Sequence, residues 1–173
     1  MVKSKDKFSV FLVDDDPMFL ASLQSSLDSE FKKELDISVY TSGEECLKHI
    51  NGKPDIIVLD YFLNDTYESK SMDGMEVLKE IKKNDYRDIM VIMLSGQDKL
   101  QIALDSIKNG AYEYVTKSES AFVRIKNIIK NATESLVSGR SNRSYLRWNV
   151  VLGVVVTLIV FVDIIYYFLV VHK

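Results

Sequence analysis

Charged and polar side chains follow four apolar runs at the points where those runs end. The runs are Phe8–Val13, Ile56–Leu59, Ile89–Leu94 and Tyr112–Thr116, and the residues that follow them include Asp14, Asp15, Asp60, Ser95 and Lys117. Continuously apolar runs are typical of parallel strands that are buried on both faces. The carboxyl ends of parallel strands meet at one edge of a sheet, so we expect these side chains to converge there.

Such a convergence has a chemical consequence. Clustered carboxylates repel one another, and a hard cation such as Mg²⁺ allows them to coexist, while the Lys117 ammonium adds compensating charge. The alternative is that each polar residue merely caps a strand end at the surface. That explanation would have to hold at four strand ends at once.

The residues between these runs show helical patterns. The predicted helices cover residues 17–27, 41–51, 73–84, the stripe of Leu100, Ala103, Leu104, Ile107 and Ala111, and residues 122–136. A weaker apolar run, Ile37–Tyr40, supplies a fifth strand. The β-α unit therefore occurs five times, which predicts a doubly wound α/β domain over residues 6–137.

Composition excludes several classes of protein. Hydrophobic residues make up 47% and charged residues 27% of the chain, which excludes intrinsic disorder. The single cysteine, Cys46, excludes a disulfide scaffold or a cysteine-ligated zinc site, and His49 and His172 lie too far apart in sequence to suggest a histidine metal site. The net charge of −3 argues against nucleic-acid binding.

The C-terminal part of the chain has a different character. Residues 138–149 form a polar, basic linker, and residues 150–171 form a 22-residue apolar run. As a helix that rises ~1.5 Å per residue, the run would span ~33 Å, which is enough for a hydrocarbon core of ~30 Å. We expect a single transmembrane helix rather than a buried core helix, because the run has no polar face. The arginines before it place the preceding domain in the cytoplasm, and no signal peptide is expected at the N-terminus.

One acidic residue, Asp163, lies inside the predicted span. A charge near the bilayer centre costs ~2.5–3.5 kcal/mol on insertion scales, so such residues usually face protein. Asp163 therefore predicts a contact with a second transmembrane helix. The alternative is an off-centre acid that reaches the far interface.

Five stretches carry a resemblance to a known family. They are Val13-Asp14-Asp15-Asp16-Pro17, Pro54-Asp55-Ile56-Ile57-Val58-Leu59-Asp60, Asp73-Gly74-Met75-Glu76-Val77-Leu78, Ile92-Met93-Leu94-Ser95-Gly96 and Gly110-Ala111-Tyr112-Glu113-Tyr114-Val115-Thr116-Lys117. With these motifs in this order, residues 8–137 resemble the receiver domain of bacterial two-component response regulators. The resemblance implies a flavodoxin-like sheet of five parallel strands in the order 2-1-3-4-5.

The resemblance also implies roles for individual residues. Asp60 would be the phosphoacceptor, which takes a phosphoryl group from a histidine kinase or a phosphotransfer protein. The Mg²⁺ ligands would be Asp14, Asp15, Asp60 and the backbone carbonyl of Phe62, with Asp14 acting mostly through water. Ser95 and Lys117 would bind the phosphoryl group, and Tyr114 would be the aromatic switch residue.

The chain departs from the family pattern in three places. Fourteen positions separate Asp60 from Gly74, which lengthens the connection beyond the family's usual length. Ser118 follows Lys117 where the family usually has a cis proline, and because a cis bond before a non-proline residue costs ~3 kcal/mol, we expect this bond to be trans. The chain also continues into the apolar run rather than into an output domain.

These features predict a single-domain response regulator in the bacterial inner membrane, with one membrane pass and its receiver domain in the cytoplasm. Such a protein would be a phosphoacceptor rather than an enzyme. It would signal by binding an unknown downstream protein through its α4–β5–α5 surface or by passing the phosphoryl group on. The alternative is a membrane adaptor that uses the receiver fold as a binding module without phosphorylation. A third hypothesis is that the span is the active part and the receiver domain regulates a membrane complex.

Overall fold

The fold is built on a five-stranded parallel sheet. A computed structural model describes residues 7–32, 34–63, 71–83, 86–97 and 99–137. The strands are ordered β2-β1-β3-β4-β5, and every neighbouring pair is parallel. Their bounds are Phe8–Val13 (β1), Leu35–Tyr40 (β2), Ile56–Asp60 (β3), Met90–Ser95 (β4) and Glu113–Thr116 (β5). The predicted fold class and strand order are confirmed. The bounds of β1 agree with the predicted run, and those of the other four strands differ from it by one or two residues.

Five α-helices connect or follow the strands. They are Pro17–Phe31 (α1), Gly43–His49 (α2), Gly74–Lys83 (α3), Leu100–Lys108 (α4) and a helix over residues 121–137 (α5). A short 3-10 helix, Ile50–Gly52, extends α2. Side chains cap the starts of three helices, because the first backbone N–H groups of a helix have no partner within it. The capping residues are Asp16 for α1, Ser42 for α2 and Asp73 for α3, and Asp73 and Glu76 bond each other's backbone N–H.

Two hydrophobic clusters cover the two faces of the sheet. One cluster joins α1 and α5 to one face, with Leu23, Leu27 and Ile125 nearly inaccessible to solvent. The other joins α2 and α3 to the opposite face, with Leu78 and Ile81 fully buried. All five residues of β3 are buried, because this central strand is covered on both sides. That double burial explains why the strand sequences are continuously apolar.

Helix α4 does not bury its apolar stripe. The stripe correctly predicts a helix, but α4 ends at Lys108, so Ala111 of the predicted stripe lies beyond it and is buried. The exposed fractions of Leu100, Leu104 and Ile107 are 76%, 45% and 47%. Ser106 is the buried residue of this helix, and its hydroxyl donates to the Ile102 carbonyl at 2.8 Å. The apolar stripe of α4 therefore remains largely open to solvent.

Gly74 closes the lengthened connection after β3. Its N–H donates to the Tyr61 carbonyl at 3.0 Å, so the start of α3 lies directly against the end of β3. A Cβ atom at position 74 would lie 2.0 Å from the Asp60 carbonyl oxygen, which makes glycine necessary for this close approach. The base of the connection is thus fixed on both sides, while residues 64–70 lie outside the described residues.

The remaining predictions concern the bond after Lys117 and the C-terminal part. The described residues contain no cis peptide bond, so the Lys117–Ser118 bond is trans, as expected. The chain divides into two compact units, Met1–Ala132 and Thr133–Lys173. No helix in the described part has the length and apolar composition needed to cross a membrane. The predicted linker over residues 138–149 and the predicted span over residues 150–171, with Asp163, lie outside that part and stay predictions.

Candidate functional site

The register of the strands brings the polar strand ends to one edge of the sheet. Val13 is paired with Leu59, so Asp14 and Asp60 follow at neighbouring positions. Asp60 is paired with Leu94, which places Ser95 one residue further along β4. Ser95 is in turn paired with Thr116, and Lys117 is the residue directly after Thr116 at the end of β5. The structure therefore brings together the side chains that the strand pattern predicted to converge.

Three carboxylates form the centre of this edge. Asp14, Asp15 and Asp60 each offer one oxygen, and these three oxygens lie within 4.8 Å of one another. Asp14 and Asp60 are buried, with exposed fractions of 1% and 3%, whereas Asp15 is exposed. The Oδ1 atom of Asp14 accepts from the Asp16 N–H at 3.0 Å, which fixes the turn between β1 and α1.

Lys117 neutralises part of this charge. Its Nζ atom lies 2.7 Å from Oδ2 of Asp14 and 3.0 Å from Oδ2 of Asp60. Its backbone N–H donates to the Ser95 carbonyl at 2.8 Å, which anchors the residue at the end of β5. The ammonium group also lies over the ring of Phe19, 4.7 Å from the ring centroid.

The pKa values of these groups reflect burial and mutual repulsion. Burial, opposed by Lys117 and reinforced by the charges of Asp14 and Asp15, raises the pKa of Asp60 to about 6. Burial likewise raises the pKa of Asp14 against the opposing effect of Lys117. Burial alone would lower the pKa of Lys117, but its contacts with the two carboxylates raise that pKa above its usual value. One ammonium group therefore compensates the carboxylates only in part.

The donor set fits a hard divalent cation. Oδ1 of Asp60 is buried and has no hydrogen-bond partner among the described residues. A buried carboxylate oxygen without a partner is costly, and a cation held by oxygen ligands would satisfy it. Mg²⁺ prefers such carboxylate oxygens. The Phe62 side chain is 43% exposed and packs edge-on against Tyr61. The assignment of the Phe62 backbone carbonyl as a ligand stays a prediction.

The turn after β4 links Ser95 to Tyr114 through the backbone of one residue, Gln97. The hydroxyl of Ser95 accepts from the Gln97 N–H at 3.1 Å, and the Tyr114 hydroxyl donates to the Gln97 carbonyl at 2.7 Å. Tyr114 is partly buried against the cluster that contains α3. The backbone of Gln97 therefore joins Ser95, predicted to bind the phosphoryl group, to Tyr114, the predicted switch residue.

Two residues that contact the site, Gln97 and Phe19, were not predicted from the sequence. Gln97 contributes through its backbone atoms, and no side-chain pattern signals such a role. Phe19 is part of the apolar stripe of α1, which indicates a helix without showing that the ring also contacts Lys117. The signal available for Phe19 was its position three residues after Asp16, on the first turn of the helix that begins beside the carboxylates.

Comparison with protein-family models assigns the chain to a family. The model for the response regulator receiver domain matches residues 10–130, which is more than half of the chain. The chain belongs to the response regulator receiver family. Proteins of this family are signalling proteins of two-component systems, and they interact with histidine kinases or phosphotransfer proteins. Receiver domains bind Mg²⁺ at an acidic aspartate cluster, which agrees with the three carboxylates described here.

Individual relatives support the same assignment. The receiver is 26% identical to SgaR of Hyphomicrobium methylovorum over 81% of this chain and 61% of that protein. It is 28% identical to the nitrogen assimilation regulatory protein NtrX of Azorhizobium caulinodans over 73% of this chain and 26% of that protein. The crystal structure of the receiver domain of Brucella abortus NtrX is similar with a TM-score of 0.61 and 26% identity, covering 72% of this chain and 98% of that one. The chain thus spans less than two thirds of the length of these two curated relatives.

Proposed function

We propose that this receiver accepts a phosphoryl group on Asp60 in a Mg²⁺-dependent reaction and signals through phosphorylation-dependent binding of another protein or through phosphorelay. The observation that carries the proposal is the position of Asp60 at the centre of the carboxylate edge. Its Oδ2 atom contacts Lys117, while its Oδ1 atom is buried without a hydrogen-bond partner among the described residues. Asp60 thus has one oxygen in contact with Lys117 and one oxygen whose hydrogen-bonding capacity is unused among the described residues.

The transfer forms one bond, between oxygen and phosphorus, and breaks one bond, between phosphorus and nitrogen. A carboxylate oxygen of Asp60 attacks the phosphorus of a phosphohistidine, a P–O bond forms, and the P–N bond breaks with the electron pair going to the imidazole. The product is an acyl phosphate, which hydrolyses readily and suits a reversible signal. Mg²⁺, when bound, neutralises charge on the phosphoryl oxygens.

The surrounding residues supply position and charge. Asp14, Asp15, Asp60 and the Phe62 carbonyl are the proposed ligands of the cation. Lys117 already lies 3.0 Å from Asp60, so its ammonium is placed to pair with a phosphoryl group on that residue. The buried Ser95 hydroxyl follows on the neighbouring strand and is proposed to donate to the same group.

The proposed output surface is the face formed by α4, β5 and α5. Leu100, Leu104 and Ile107 are exposed on α4, and exposed apolar patches often mark sites of protein binding. This face is linked to Asp60 through Ser95, Gln97 and Tyr114. A phosphoryl group that draws the Ser95 hydroxyl would remove the acceptor of the Gln97 N–H, and the resulting shift of the Gln97 backbone would disturb the Tyr114 hydrogen bond to its carbonyl.

The proposed location is the bacterial inner membrane, with the receiver domain in the cytoplasm. The support is the apolar sequence of residues 150–171 and the arginines before it. Asp163 is proposed to contact a second transmembrane helix.

The experiment is phosphorylation of the full-length protein by acetyl phosphate, followed by phosphate-affinity electrophoresis and intact mass measurement. We expect one phosphoryl group per chain with Mg²⁺ and none after chelation of Mg²⁺. Asp60→Asn should abolish labelling. Asp36→Asn changes an exposed aspartate on β2 and is the matched control, which should label like the wild type. Labelling of Asp60→Asn at the wild-type level would refute the assignment.

A second function is a binding module that acts without phosphorylation. The observation in its favour is the exposed apolar stripe of α4, which a partner could cover without any change at Asp60. Pull-down of partners from solubilised membranes, with and without beryllofluoride, distinguishes the two functions. A partner that binds wild type and Asp60→Asn equally, whether or not beryllofluoride is present, supports the adaptor.

A further inference from the structure

An aromatic ring forms the third contact of the Lys117 ammonium. Two sides of this group contact Asp14 and Asp60, and the ring of Phe19 lies 4.7 Å away, measured from Nζ to the ring centroid. A cation within about 6 Å of a ring centroid is attracted to the negative face of the aromatic system. Phe19 therefore adds an attraction on the ammonium that is separate from the two carboxylate contacts.

The same turn that carries the acidic residues fixes the position of Phe19. Asp16 caps α1, and its Oδ1 atom accepts from the N–H groups of Met18 at 2.8 Å and of Phe19 at 3.2 Å. The backbone of Phe19 is therefore tied to the turn that begins with Asp14 and Asp15. This hydrogen bond holds the start of α1, and with it Phe19, at a fixed distance from the carboxylates.

A second aromatic residue supports the ring from α5. Phe122 meets Phe19 in an edge-to-face arrangement, with 5.4 Å between centroids and an angle of 73° between the ring planes. Both rings pack against the core cluster of α1 and α5. The orientation of Phe19 thus follows from two helices and does not depend on the lysine.

We propose that Phe19 is a positioning residue for Lys117, whose ring face holds the ammonium at the phosphoryl-binding position. This inference rests on the proposed phosphoryl transfer to Asp60. It adds a residue that acts through Lys117 and does not itself touch the phosphoryl group.

The ring supplies a larger share of the attraction on Lys117 when the carboxylates are neutralised. In the metal-free protein, Asp14 and Asp60 hold Lys117 by charge. A divalent cation on these carboxylates weakens that attraction, because the net negative charge near the ammonium falls. The attraction of the ring does not depend on the charge of the carboxylates. Phe19 therefore limits the movement of Lys117 in the state that receives the phosphoryl group.

The first test uses the metal-free, full-length protein in detergent-containing buffer with isotope-labelled lysine. Protons above an aromatic ring face resonate upfield, so the Hε signals of Lys117, assigned by their loss in Lys117→Met, should lie upfield of the other lysine signals. Phe19→Leu keeps an apolar side chain but removes the ring, and it should return these signals to the ordinary position. Phe19→Tyr keeps the ring face and should retain the upfield shift.

The second test measures the affinity for beryllofluoride in the presence of Mg²⁺, with Phe8→Leu as the matched control. This control removes an aromatic side chain that packs against the same cluster, but at the start of β1, the end opposite the acidic turn. Phe19→Leu should bind beryllofluoride about three- to tenfold more weakly than the wild type, whereas Phe19→Tyr and Phe8→Leu should stay within about twofold of it.

Two results would overturn the proposal. One is an unchanged position of the Lys117 signals in Phe19→Leu. The other is an equal loss of beryllofluoride affinity in Phe19→Leu and Phe8→Leu, which would assign Phe19 to packing alone. If the wild type binds no beryllofluoride, the proposed phosphoryl transfer fails, while the metal-free signals still report whether the ring contacts Lys117.

Discussion

Replacing Asp60 by asparagine should stabilise the metal-free protein at neutral pH. The Asp60 carboxylate is 3% exposed, and its pKa is raised to about 6 from an ordinary 3.8, so its charged form is disfavoured in the folded state. Asparagine has nearly the same shape and carries no charge. It therefore removes the repulsion from Asp14 and Asp15 and the cost of burying the charge, while Lys117 keeps its contact with Asp14.

The sign and the size of the change in the free energy of unfolding follow from proton linkage. Between pH 4 and pH 6 the folded wild type holds a proton on Asp60 that the unfolded chain has lost, so its free energy of unfolding falls as the pH rises through this window. A difference of about two pKa units corresponds to roughly 3 kcal/mol at ~1.36 kcal/mol per unit. Because the asparagine side chain gives up the ion pair with Lys117, we expect a net gain of about 1–3 kcal/mol at pH 7.5.

The measurement is urea unfolding of the full-length wild type and Asp60→Asn at pH 4.0, 6.0 and 7.5 with a chelator present. The stability difference should be small at pH 4.0 and largest at pH 7.5. Mg²⁺ should stabilise the wild type more than the variant, because binding to the folded state adds to its stability. Asp36→Asn, at an exposed site, controls for loss of one negative charge. A variant that is no more stable than the wild type at pH 7.5, or a difference that does not change with pH, would refute the reasoning.

Three further predictions concern the connection after β3 and the C-terminal part. Gly74→Ala should destabilise the protein by at least about 2 kcal/mol in urea unfolding and slow phosphorylation, because the added Cβ would lie 2.0 Å from the Asp60 carbonyl oxygen; wild-type values would refute this. A chain that ends at residue 138 should unfold cooperatively by circular dichroism and accept the phosphoryl group, because the described buried residues of α5 all lie at or before Ala132; aggregation would contradict it. Asp163→Leu should leave the protein in the membrane fraction but weaken self-association or partner recovery after mild detergent extraction, and if all of these are unchanged the span is only an anchor.

The fold was predictable because strands that are buried on both faces consist almost entirely of apolar residues. A strand covered on both faces, such as β3, must be apolar at every position, and this leaves a run that the sequence reveals. The strand ends were equally visible, because polar residues appear where the run stops. The start of β2 was missed by two residues, since Asp36 is exposed and interrupts the apolar run after the buried Leu35.

The carboxylate cluster was predictable for the same reason, but the contacts that orient it were not. Asp14, Asp60 and Lys117 carry charges whose meeting follows from parallel strands alone. The contacts of Gln97 are made by its backbone N–H and carbonyl, which every residue other than proline possesses. The contact of Phe19 depends on a distance between β5 and α1 that no spacing along the chain encodes.

Helix α4 shows where hydrophobic periodicity stops being informative. The stripe on α4 has the spacing of a helix face, and periodicity of this kind normally marks the face that packs on a core. In the structure, Ser106 is the buried residue, and it tolerates burial because its hydroxyl bonds the Ile102 carbonyl. Leu100, Leu104 and Ile107 remain exposed instead. An apolar face left open costs solubility without adding core stability, so its retention favours a role in binding. The position of this face beside β5, whose Tyr114 bonds the turn after Ser95, places the exposed stripe next to the residues that would respond to a phosphoryl group on Asp60.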